Sequence, residues 1–410
     1  MNEETLVPKL RFSGFDDDWK KVTLKDIIEK IIDFRGKTPK KIGLKWGGNI
    51  PALSAINVKM GKIEFNDETH YGNEELYNKW MTNGDCEKND IVMTMEAPMG
   101  NIAQIPDNNK YILSQRVILL KLINNVNNDF IYSYLKSFKF QNQLNKYATG
   151  STAKGIKQKN LVKTNVYLPT FEEQGKIAGF LKNIELKIEL LEKKYENYQN
   201  FKKYLMQQIF AQKLRFNCND EWKKNKLNEI SVLTSSKRIY SSDYVKDGVP
   251  FYRGAEITQL NNNEEIKEKL FISTEKYNEL KNKFGAPKKD DILVTGVGTL
   301  GNVYKIKDNT EFYFKDGNLI WIKDIKINPD YLELYLKRYK NEILKLSIGS
   351  TQKALTIESL EKLNVKYPSL EEQKNIVNFI SSVNGKIYSI EKTLKNVKKF
   401  KKGLLQQMFV

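Results

Sequence analysis

Two long stretches of the chain carry apolar residues in alternating steps of four and three. The first stretch comprises Ile177, Leu181, Ile184, Ile188, Leu191, Tyr195, Tyr198, Leu205 and Ile209, with Lys202 at its polar position. The second comprises Ile376, Ile380, Val383, Ile387, Ile390, Leu394, Val397, Leu404 and Met408, with Lys401 at its polar position. An apolar seam of this period over several heptads predicts a coiled coil. Because the seams share one register, we expect the two helices to pair within the chain, although association between chains would also satisfy the pattern.

Both helices are predicted to begin in the same way. Thr170 with Glu173, and Ser369 with Glu372, match the capping box, in which a hydroxyl and a carboxylate each satisfy a backbone N–H group. A proline precedes each box, where a helix from upstream could not continue. Each helix would then run for about 40 residues, or roughly 60 Å. Such a helix pair would be a rigid spacer.

The helices belong to a longer internal repeat. The motifs that recur in order are Leu-Arg-Phe, Trp-Lys-Lys, Gly-Ser-Thr, Pro-x-x-Glu-Glu-Gln and a Gln-Gln ending. Between the repeated frames, residues 1–148 and 213–347 mix short β-type runs with helical stretches and agree at few positions. We therefore predict an α+β protein in which two similar α/β domains, 1–148 and 213–347, are joined to frame segments 149–212 and 348–410. The layout indicates one fold presenting two different surfaces.

The composition favours nucleic acid as the partner. The 410 residues carry a formal net charge of +18, and their 40% apolar content is sufficient for real cores. A lysine-rich surface inherited from an AT-rich genome would give the same charge. The two cysteines lack metal-binding spacing, so we expect no disulfide framework and no metal site. No secretory signal or membrane span is visible, and a cytoplasmic location is expected.

The candidate DNA-binding residues are cations, with polar neighbours, in loops of the two variable domains and beside the Gly-Ser-Thr segments. Lysine suits phosphates, whereas arginine can also read guanine edges in bidentate fashion. Each of these arginines would otherwise be a surface ion pair or a structural cap. The candidates are Arg35, Lys37, Thr38, Lys40, Lys41, Gln115, Arg116, Lys154, Lys237, Arg238, Tyr240, Tyr252, Arg253, Asn302 and Lys353.

Several enzyme-like motifs fail on inspection. Gly296-x-Gly298-x-x-Gly301 matches a dinucleotide fingerprint, but a strand rather than a helix is predicted to follow it, so we interpret it as a turn. Asn328-Pro329-Asp330-Tyr331 is similar to an adenine methyltransferase loop but lacks the second proline, and we interpret it as a helix start. The single histidine, His70, has no partner for metal binding or hydrolysis and is expected in a solvated loop.

The complete arrangement resembles the specificity subunits of type I restriction-modification systems. The resemblance covers essentially the whole chain and depends on the duplicated Gly-Ser-Thr, Pro-x-x-Glu-Glu-Gln and Gln-Gln motifs, together with Asp-Ile-Leu-Val-x-Gly-x-Gly-x-x-Gly-Asn in the second variable domain. The first domain departs from that last motif at residues 95–98. Membership would imply two target-recognition domains separated by an antiparallel pair of long helices, and no catalytic activity in this chain.

The resemblance also implies partners. The target would be double-stranded DNA with a split sequence, and two modification subunits and two restriction subunits would supply S-adenosylmethionine chemistry and ATP- and Mg-dependent cleavage. The modification subunits would dock on Ser151, Thr152, Glu172, Glu173, Gln174, Ser350, Thr351, Glu371, Glu372 and Gln373. The alternatives are the specificity component of a fused methyltransferase-nuclease, a coiled-coil protein-binding scaffold, and a stand-alone methyltransferase, of which the last would bind S-adenosylmethionine itself.

Overall fold

A computed structural model describes residues 6–150, 153–216, 220–262, 264–349 and 353–410. Its contacts divide the chain into two compact units, Met1–Lys193 with Glu391–Val410, and Lys194–Ile390. Each unit therefore contains one predicted recognition domain and a part of each long helix. Among the described residues, no helix combines the length and the apolar character that crossing a membrane requires.

The first unit is built from short strands and short helices that precede the first long helix. Its strands are β1 Lys20–Thr23, β2 Ile28–Asp33, β3 Ile50–Leu53, β4 Val58–Lys59, β5 Lys62–Ile63, β6 Tyr71–Gly72, β7 Ile91–Thr94, β8 Ile102–Gln104, β9 Ile112–Leu113, β10 Val117–Leu122 and β11 Asn165–Leu168. Its helices are α1 Leu24–Ile27, α2 Glu74–Trp80, α3 Asn128–Leu135, α4 Phe138–Lys146, α5 Gln158–Leu161 and the long α6 Phe171–Phe210, with a 3₁₀ turn at Pro39–Ile42.

The main sheet of the first unit has the strand order β2-β10-β7-β8, and all its pairings are antiparallel. Alternate residues of its strands enter two different cores: Ile91 and Met93 pack with Trp19 and Phe130, whereas Val92 packs with Trp80 on the other face. Both faces are covered, which explains why β7 is a continuous apolar run rather than an alternating one. A smaller sheet, β6-β3-β9, lies in the second of these cores.

The second unit repeats this plan. Its strands are β12 Lys223–Lys226, β13 Val232–Thr234, β14 Tyr244–Val245, β15 Val249–Tyr252, β16 Leu270–Ile272, β17 Ile292–Thr295, β18 Val303–Lys305, β19 Tyr313–Phe314, β20 Leu319–Lys323 and β21 Asn364–Tyr367. Its helices are α7 Leu227–Ile230, α8 Gly254–Asn261, α9 Thr274–Phe284, α10 Pro329–Arg338, α11 Lys340–Lys345, α12 Ile357–Glu361 and the long α13 Leu370–Gln407, with a 3₁₀ turn at Ser241–Asp243.

The main sheet of the second unit, β13-β20-β17-β18, has the same connectivity as that of the first. The outer frame strands also correspond, since β1 pairs with β11 and β12 pairs with β21. The second sheet of this unit has four strands, in the order β14-β16-β15-β19, whereas its counterpart in the first unit has three. The predicted α+β class and the internal repeat are confirmed, and the units differ mainly in what is attached to a common main sheet.

The two long helices pair in antiparallel fashion, as the resemblance implied. Within the first unit, Glu192 lies 2.6 Å from Lys398 and Glu185 lies 2.6 Å from Lys401. Residue numbers therefore increase along one helix in the direction in which they decrease along the other. The predicted seam residues are buried there: Ile177, Leu181 and Ile184 of α6 share a core with Leu404 and Met408 of α13. In the second unit, Leu205 and Ile209 of α6 share a core with Ile376, Ile380 and Val383 of α13.

The hydroxyl half of each predicted capping box is formed. Thr170 Oγ1 accepts from the Glu173 backbone N at 3.3 Å, and Ser369 Oγ accepts from the Glu372 backbone N at 3.4 Å. The two carboxylates, however, bind arginines: Arg11 holds Glu173 and Arg215 holds Glu372. Each carboxylate thus has a charged partner distant in sequence, which the capping-box pattern did not predict.

The two rejected motifs have the structures expected of them. Gly296–Gly301 joins the antiparallel strands β17 and β18, so no helix follows it. Asn328 caps α10 by accepting from Tyr331 N at 3.0 Å, and its counterpart Asn127 caps α3. His70 is exposed beside β6 and stacks on Trp46, with 5.2 Å between ring centroids.

Candidate nucleic-acid interface

In each unit, the Gly-Ser-Thr hairpin is attached to the main sheet through one loop. We call residues 95–101 and 296–302 the sheet loops, and 149–156 and 348–355 the frame hairpins. In the first unit, Thr149 and Gly155 exchange two backbone hydrogen bonds of 2.8 and 2.9 Å, and Ile156 N donates to Met95 O at 2.9 Å. The described residues of the hairpin therefore continue the edge of the sheet loop.

The second unit has the same junction. Ile348 and Ala354 exchange two backbone hydrogen bonds of 2.9 Å, and Leu355 N donates to Gly296 O at 2.8 Å. The glycine that opens each hairpin has φ of +100° (Gly150) or +105° (Gly349), a conformation that L-residues with a Cβ rarely adopt. The four hairpin-tip residues proposed for docking, Ser151, Thr152, Ser350 and Thr351, lie outside the described residues.

The shared Gly-Asn pair shapes both sheet loops. Thr94 Oγ1 accepts from Asn101 N at 2.9 Å, and Thr295 Oγ1 accepts from Asn302 N at the same distance. Gly100, the glycine of the first loop, has φ of +85°. Asn302, predicted to bind DNA, donates to Thr258 Oγ1 at 3.0 Å and accepts from Lys340 at 2.6 Å, so its side chain is engaged internally.

Cations gather around the sheet loop of the first unit. Arg116 Nε lies 3.6 Å from Glu96 Oε1, and both side chains are about half exposed. Glu96 also forms a β-bridge with Gly155, next to the exposed Lys154. Hydrogen bonding to Asp33 is the main influence that raises the pKa of Arg35, and the charge of Glu96 acts in the same direction. Arg116 and Arg35 thus both feel the charge of Glu96, a residue at which the first domain departs from the family motif.

The basic loop after β2 is held by internal contacts. Arg35 and Asp33 form a bidentate pair with contacts of 2.6 to 3.0 Å. Lys37 donates to Trp80 O at 2.7 Å, and burial lowers its pKa. Thr38 Oγ1 accepts from Lys41 N at 3.4 Å, and Lys41 Nζ donates to Gly36 O at 2.6 Å. Lys40 in this loop is exposed, and so is Gln115, which precedes Arg116. Both side chains are therefore accessible to a ligand.

In the second unit, Arg238 is a candidate that is open to solvent. Its Nε lies 3.1 Å from Asp316, and two thirds of its side chain is exposed. Asp316 stands two residues before Asn318, whose carbonyl accepts from Gly296 N at 2.8 Å, so Arg238 is brought towards the sheet loop. Nearby in sequence, Lys237 lies over the Phe284 ring at 4.8 Å, and Tyr240 is 62% exposed.

The remaining candidates of the second unit are more constrained. Arg253 binds Glu256 at 2.6 Å and opens α8 next to the sheet loop, since a Cβ on Gly254 would lie 3.8 Å from Thr295 Cγ2. Tyr252 packs on Phe312 at 4.9 Å, and burial raises its pKa. Lys353, at the base of the frame hairpin, is exposed.

The repeated Glu-Glu-Gln motifs hold the frame together. Glu173 is fully buried, and Arg11 donates to both its carboxylate oxygens at 2.8 Å. Gln174 accepts from Asn127 N at 2.9 Å and donates to Pro169 O at 3.0 Å. The motif thus ties the start of α6 to the N-terminal segment and to the start of α3.

The second unit uses the same contacts. Arg215 binds Glu372 at 2.6 and 2.8 Å, and Gln373 bridges Asn328 N and Pro368 O at 2.8 and 2.9 Å. Four of the proposed docking residues, Glu173, Gln174, Glu372 and Gln373, are therefore buried structural groups. Glu172 and Glu371, also proposed for docking, are exposed.

The chemistry that this arrangement supports is recognition of a nucleic acid. Exposed arginines, lysines and amides can donate to phosphates and to base edges. Over the described ranges, no group of three or more His, Cys, Asp or Glu side chains is placed to hold a metal ion.

Comparison with known proteins gives a consistent result. A family model, the type I restriction modification DNA specificity domain, matches residues 16–198 and again 219–399. A putative type I restriction enzyme specificity subunit of Haemophilus influenzae is 25% identical over 398 residues, which cover 92% of this chain and 90% of that protein. The MjaVIII specificity subunit of Methanocaldococcus jannaschii is 25% identical over 416 residues, covering 95% and 91%.

A solved structure has the same fold. The S subunit of a type I restriction-modification system from M. genitalium matches with a TM-score of 0.59 at 17% identity, over 98% of this chain and 99% of that one. The two family matches each contain one main sheet, one frame hairpin and the start of one long helix. The chain belongs to the family of type I restriction modification DNA specificity domains, which it carries in two copies.

Proposed function

We propose that this protein is the DNA-reading subunit of a type I restriction-modification complex, and that each unit reads one half of a split target. The observation that carries the proposal is the repeated junction of sheet loop and frame hairpin, with an equivalent lysine but a differently placed arginine in each copy. One copy presents Arg116 and Lys154, and the other presents Arg238 and Lys353. A common frame with different readers suits recognition of two different sequences.

Arg116 is the best candidate for reading a base. Its contact with Glu96 is long and half exposed, so an exchange of that carboxylate for a guanine edge would cost little. Arg35 is different, because Asp33 already occupies its guanidinium with short contacts. In this proposal Arg35 helps to position the loop, whereas Lys40 and Lys154 meet phosphates, which confer affinity without sequence preference.

The catalytic steps would belong to partner chains. Two modification subunits would bring S-adenosylmethionine and methylate an adenine in each half-site, and two restriction subunits would bring ATP- and Mg-dependent cleavage. The exposed Glu172 and Glu371, at the first turns of α6 and α13, are accessible for docking. A fused methyltransferase-nuclease would use the same surfaces, and purification of the native complex would distinguish one partner chain from two.

A domain exchange tests the proposal. The chain is co-expressed with its modification subunit, and N6-methyladenine is mapped across the genome by single-molecule sequencing. Residues 213–347 are then replaced by those of another family member, with Arg215 retained because it binds Glu372 of the frame. We expect a two-part methylated motif in which one half changes and the other half stays.

The outcome that contradicts the proposal is equally concrete. A genome without a two-part motif, or a motif unchanged by the exchange, would exclude reading by separate units. A protein-binding scaffold predicts neither methylation nor a salt-dependent affinity for DNA. A DNA reader that contacts several phosphates loses affinity steeply as the salt concentration rises. Binding of S-adenosylmethionine by the isolated chain, measured by calorimetry, would instead identify a stand-alone methyltransferase.

A further inference from the structure

In the first unit, one carboxylate neutralises two lysines. Glu185 Oε1 of α6 lies 2.5 Å from Lys136 Nζ and 2.6 Å from Lys401 Nζ. The Lys136 side chain is almost completely buried, and burial lowers its pKa to about 8. Burial alone would raise the pKa of Glu185, but attraction to the two lysines outweighs it and the pKa is lowered. The carboxylate is therefore the counter-ion of this cluster.

The second unit repeats the lysines without the acid. Lys337 occupies the place of Lys136, because α3 and α10 start at equivalent asparagine caps. Lys202 of α6 repeats Lys401 of α13, at the polar position of each seam. The residue that repeats Glu185 is Asn384, a neutral amide. The carboxylate that their counterparts share is therefore an amide here, and Lys337 pairs instead with Glu333 at 2.9 Å.

One acid remains nearby, and it is already shared. Glu333 Oε1 accepts from Lys337 Nζ at 2.9 Å and also from Lys305 N at 3.3 Å. Burial lowers the pKa of Lys202, and the charge of Lys337 lowers it further, while Glu333 opposes this shift. Lys202 is thus a half-buried cation in an environment that disfavours its charge.

These groups line a cavity of about 390 Å³. Its cations are Lys202, Lys203, Lys337 and Arg338, and none of the described residues that line it is acidic. Arg338 Nε is buried and has no hydrogen-bond partner among the described residues. Because a buried donor without a partner is unfavourable, an acceptor on a ligand at this position would be stabilising.

We propose that this cavity, the Lys202–Lys337–Arg338 pocket, binds a phosphate-type oxyanion. An oxyanion accepts several hydrogen bonds at once, from the arginine fork, from the lysine ammonium groups and from neighbouring amide side chains. It would restore the negative charge that Glu185 provides in the first unit. The bound oxyanion is either a phosphate of the DNA backbone or free phosphate. Binding of an oxyanion in this pocket does not depend on the proposed function. Only its assignment to a phosphate of the DNA backbone rests on that function.

Binding of inorganic phosphate is the first test. The full chain is titrated with phosphate at constant ionic strength, maintained with potassium chloride, and the phosphorus NMR line width is followed. We expect saturable binding that weakens at least tenfold in Lys202→Met. Asn384→Glu should weaken it similarly, because this variant returns to the second unit the carboxylate found in the first.

The control has the same added charge on the same helix. Ser382 is exposed, as Asn384 is, so Ser382→Glu should leave phosphate binding within about twofold of the parent. Absence of saturable binding in the parent would overturn the proposal. So would equal binding by the parent and Asn384→Glu, since the pocket would then not be the site.

The second experiment identifies the source of the phosphate. Affinity for a short random-sequence duplex is measured against salt concentration for the parent and Lys202→Met. A slope reduced by about one phosphate contact assigns the pocket to the DNA backbone. An unchanged slope, with phosphate binding lost, assigns it to a free oxyanion. A parent that shows no salt-dependent DNA binding contradicts the proposed function and leaves the phosphate result intact.

Discussion

Arg11 and Glu173, far apart in the sequence, form a bidentate ion pair in which both contacts are 2.8 Å. The carboxylate is completely buried, and Arg11 also donates to Asp17 O at 2.7 Å. Arg215 and Glu372 repeat the pair in the second unit. The pair fastens the segment before β1 to the first turn of α6, so it joins a recognition domain to its frame.

Removal of Arg11 should destabilise the first unit strongly. Arg11→Met leaves a buried carboxylate without its partner, which typically costs about 3–5 kcal/mol. The free energy of unfolding, measured by urea denaturation, should fall by about this amount. The double variant Arg11→Met, Glu173→Leu should recover a large part of the loss, since no uncompensated charge remains. Equal stability of the single and double variants would show that the unpaired charge of Glu173 is not the cause of the lost stability in Arg11→Met.

A matched control lies in the second unit. Arg215→Met should produce a loss of similar size, because Glu372 is as buried as Glu173. An exposed pair such as Lys79 with Glu75 should contribute less than about 1 kcal/mol, so Lys79→Met should be nearly neutral. Comparison of the three variants separates burial from the mere presence of an ion pair.

Replacement of Glu185 should expose the cost of uncompensated lysines. Glu185→Gln leaves the buried Lys136 facing Lys401 without an acid, and we expect a loss of about 3 kcal/mol at pH 7. Since the pKa of Glu185 in the folded protein lies below its ordinary value of 4.5, its contribution is present above that value. The contribution is lost as pH falls through the folded pKa. The difference in the free energy of unfolding between parent and variant should therefore shrink in acid. A difference independent of pH would show that the charge of Glu185 is not its cause.

The sequence predicted the helices well because their signal is local and periodic. The seam residues of α6 and α13 repeat every three or four positions, and the apolar runs of β7 and β17 are continuous because both faces of each sheet are covered. Asn127 and Asn328 were correctly interpreted as helix starts for the same reason, since a cap depends on residues within one turn.

The candidate site was less predictable, since its contacts join residues distant in sequence. Arg11 was noticed as a repeated residue, but nothing local pairs it with Glu173, and the carboxylate was assigned to a capping box instead. Asp33 binds Arg35 and Lys340 binds Asn302, so two residues that are proposed to contact DNA also make internal contacts. A repeated polar residue inside a repeated frame could have suggested a structural role, because the two units share their scaffold rather than their target.

Substitution of Arg116 should separate specificity from affinity. Once the methylated target is known, Arg116→Ala should weaken binding to that target by about 1–3 kcal/mol while leaving random DNA nearly unchanged. Stability should change by less than about 1 kcal/mol, since the contact with Glu96 is long and half exposed. Lys40→Ala is the control and should lower affinity for every duplex equally, with a smaller salt slope. An equal loss on target and random DNA would make Arg116 a phosphate contact only.

A methyl group on Gly150 should open the first frame hairpin. Its Cβ would lie 2.4 Å from Ala153 O, and the backbone φ of +100° is strained for alanine. We expect Gly150→Ala to accelerate hydrogen exchange of the Thr149 and Gly155 amides, whose mutual bonds close the hairpin, and to abolish methylation of the target. Gly179→Ala is the control, because a Cβ there meets nothing within 4 Å and should stabilise α6 by about 1 kcal/mol. Unaltered exchange in Gly150→Ala would mean that the hairpin tolerates the strain. The positive φ at Gly150 would then not explain why both copies have glycine at this position.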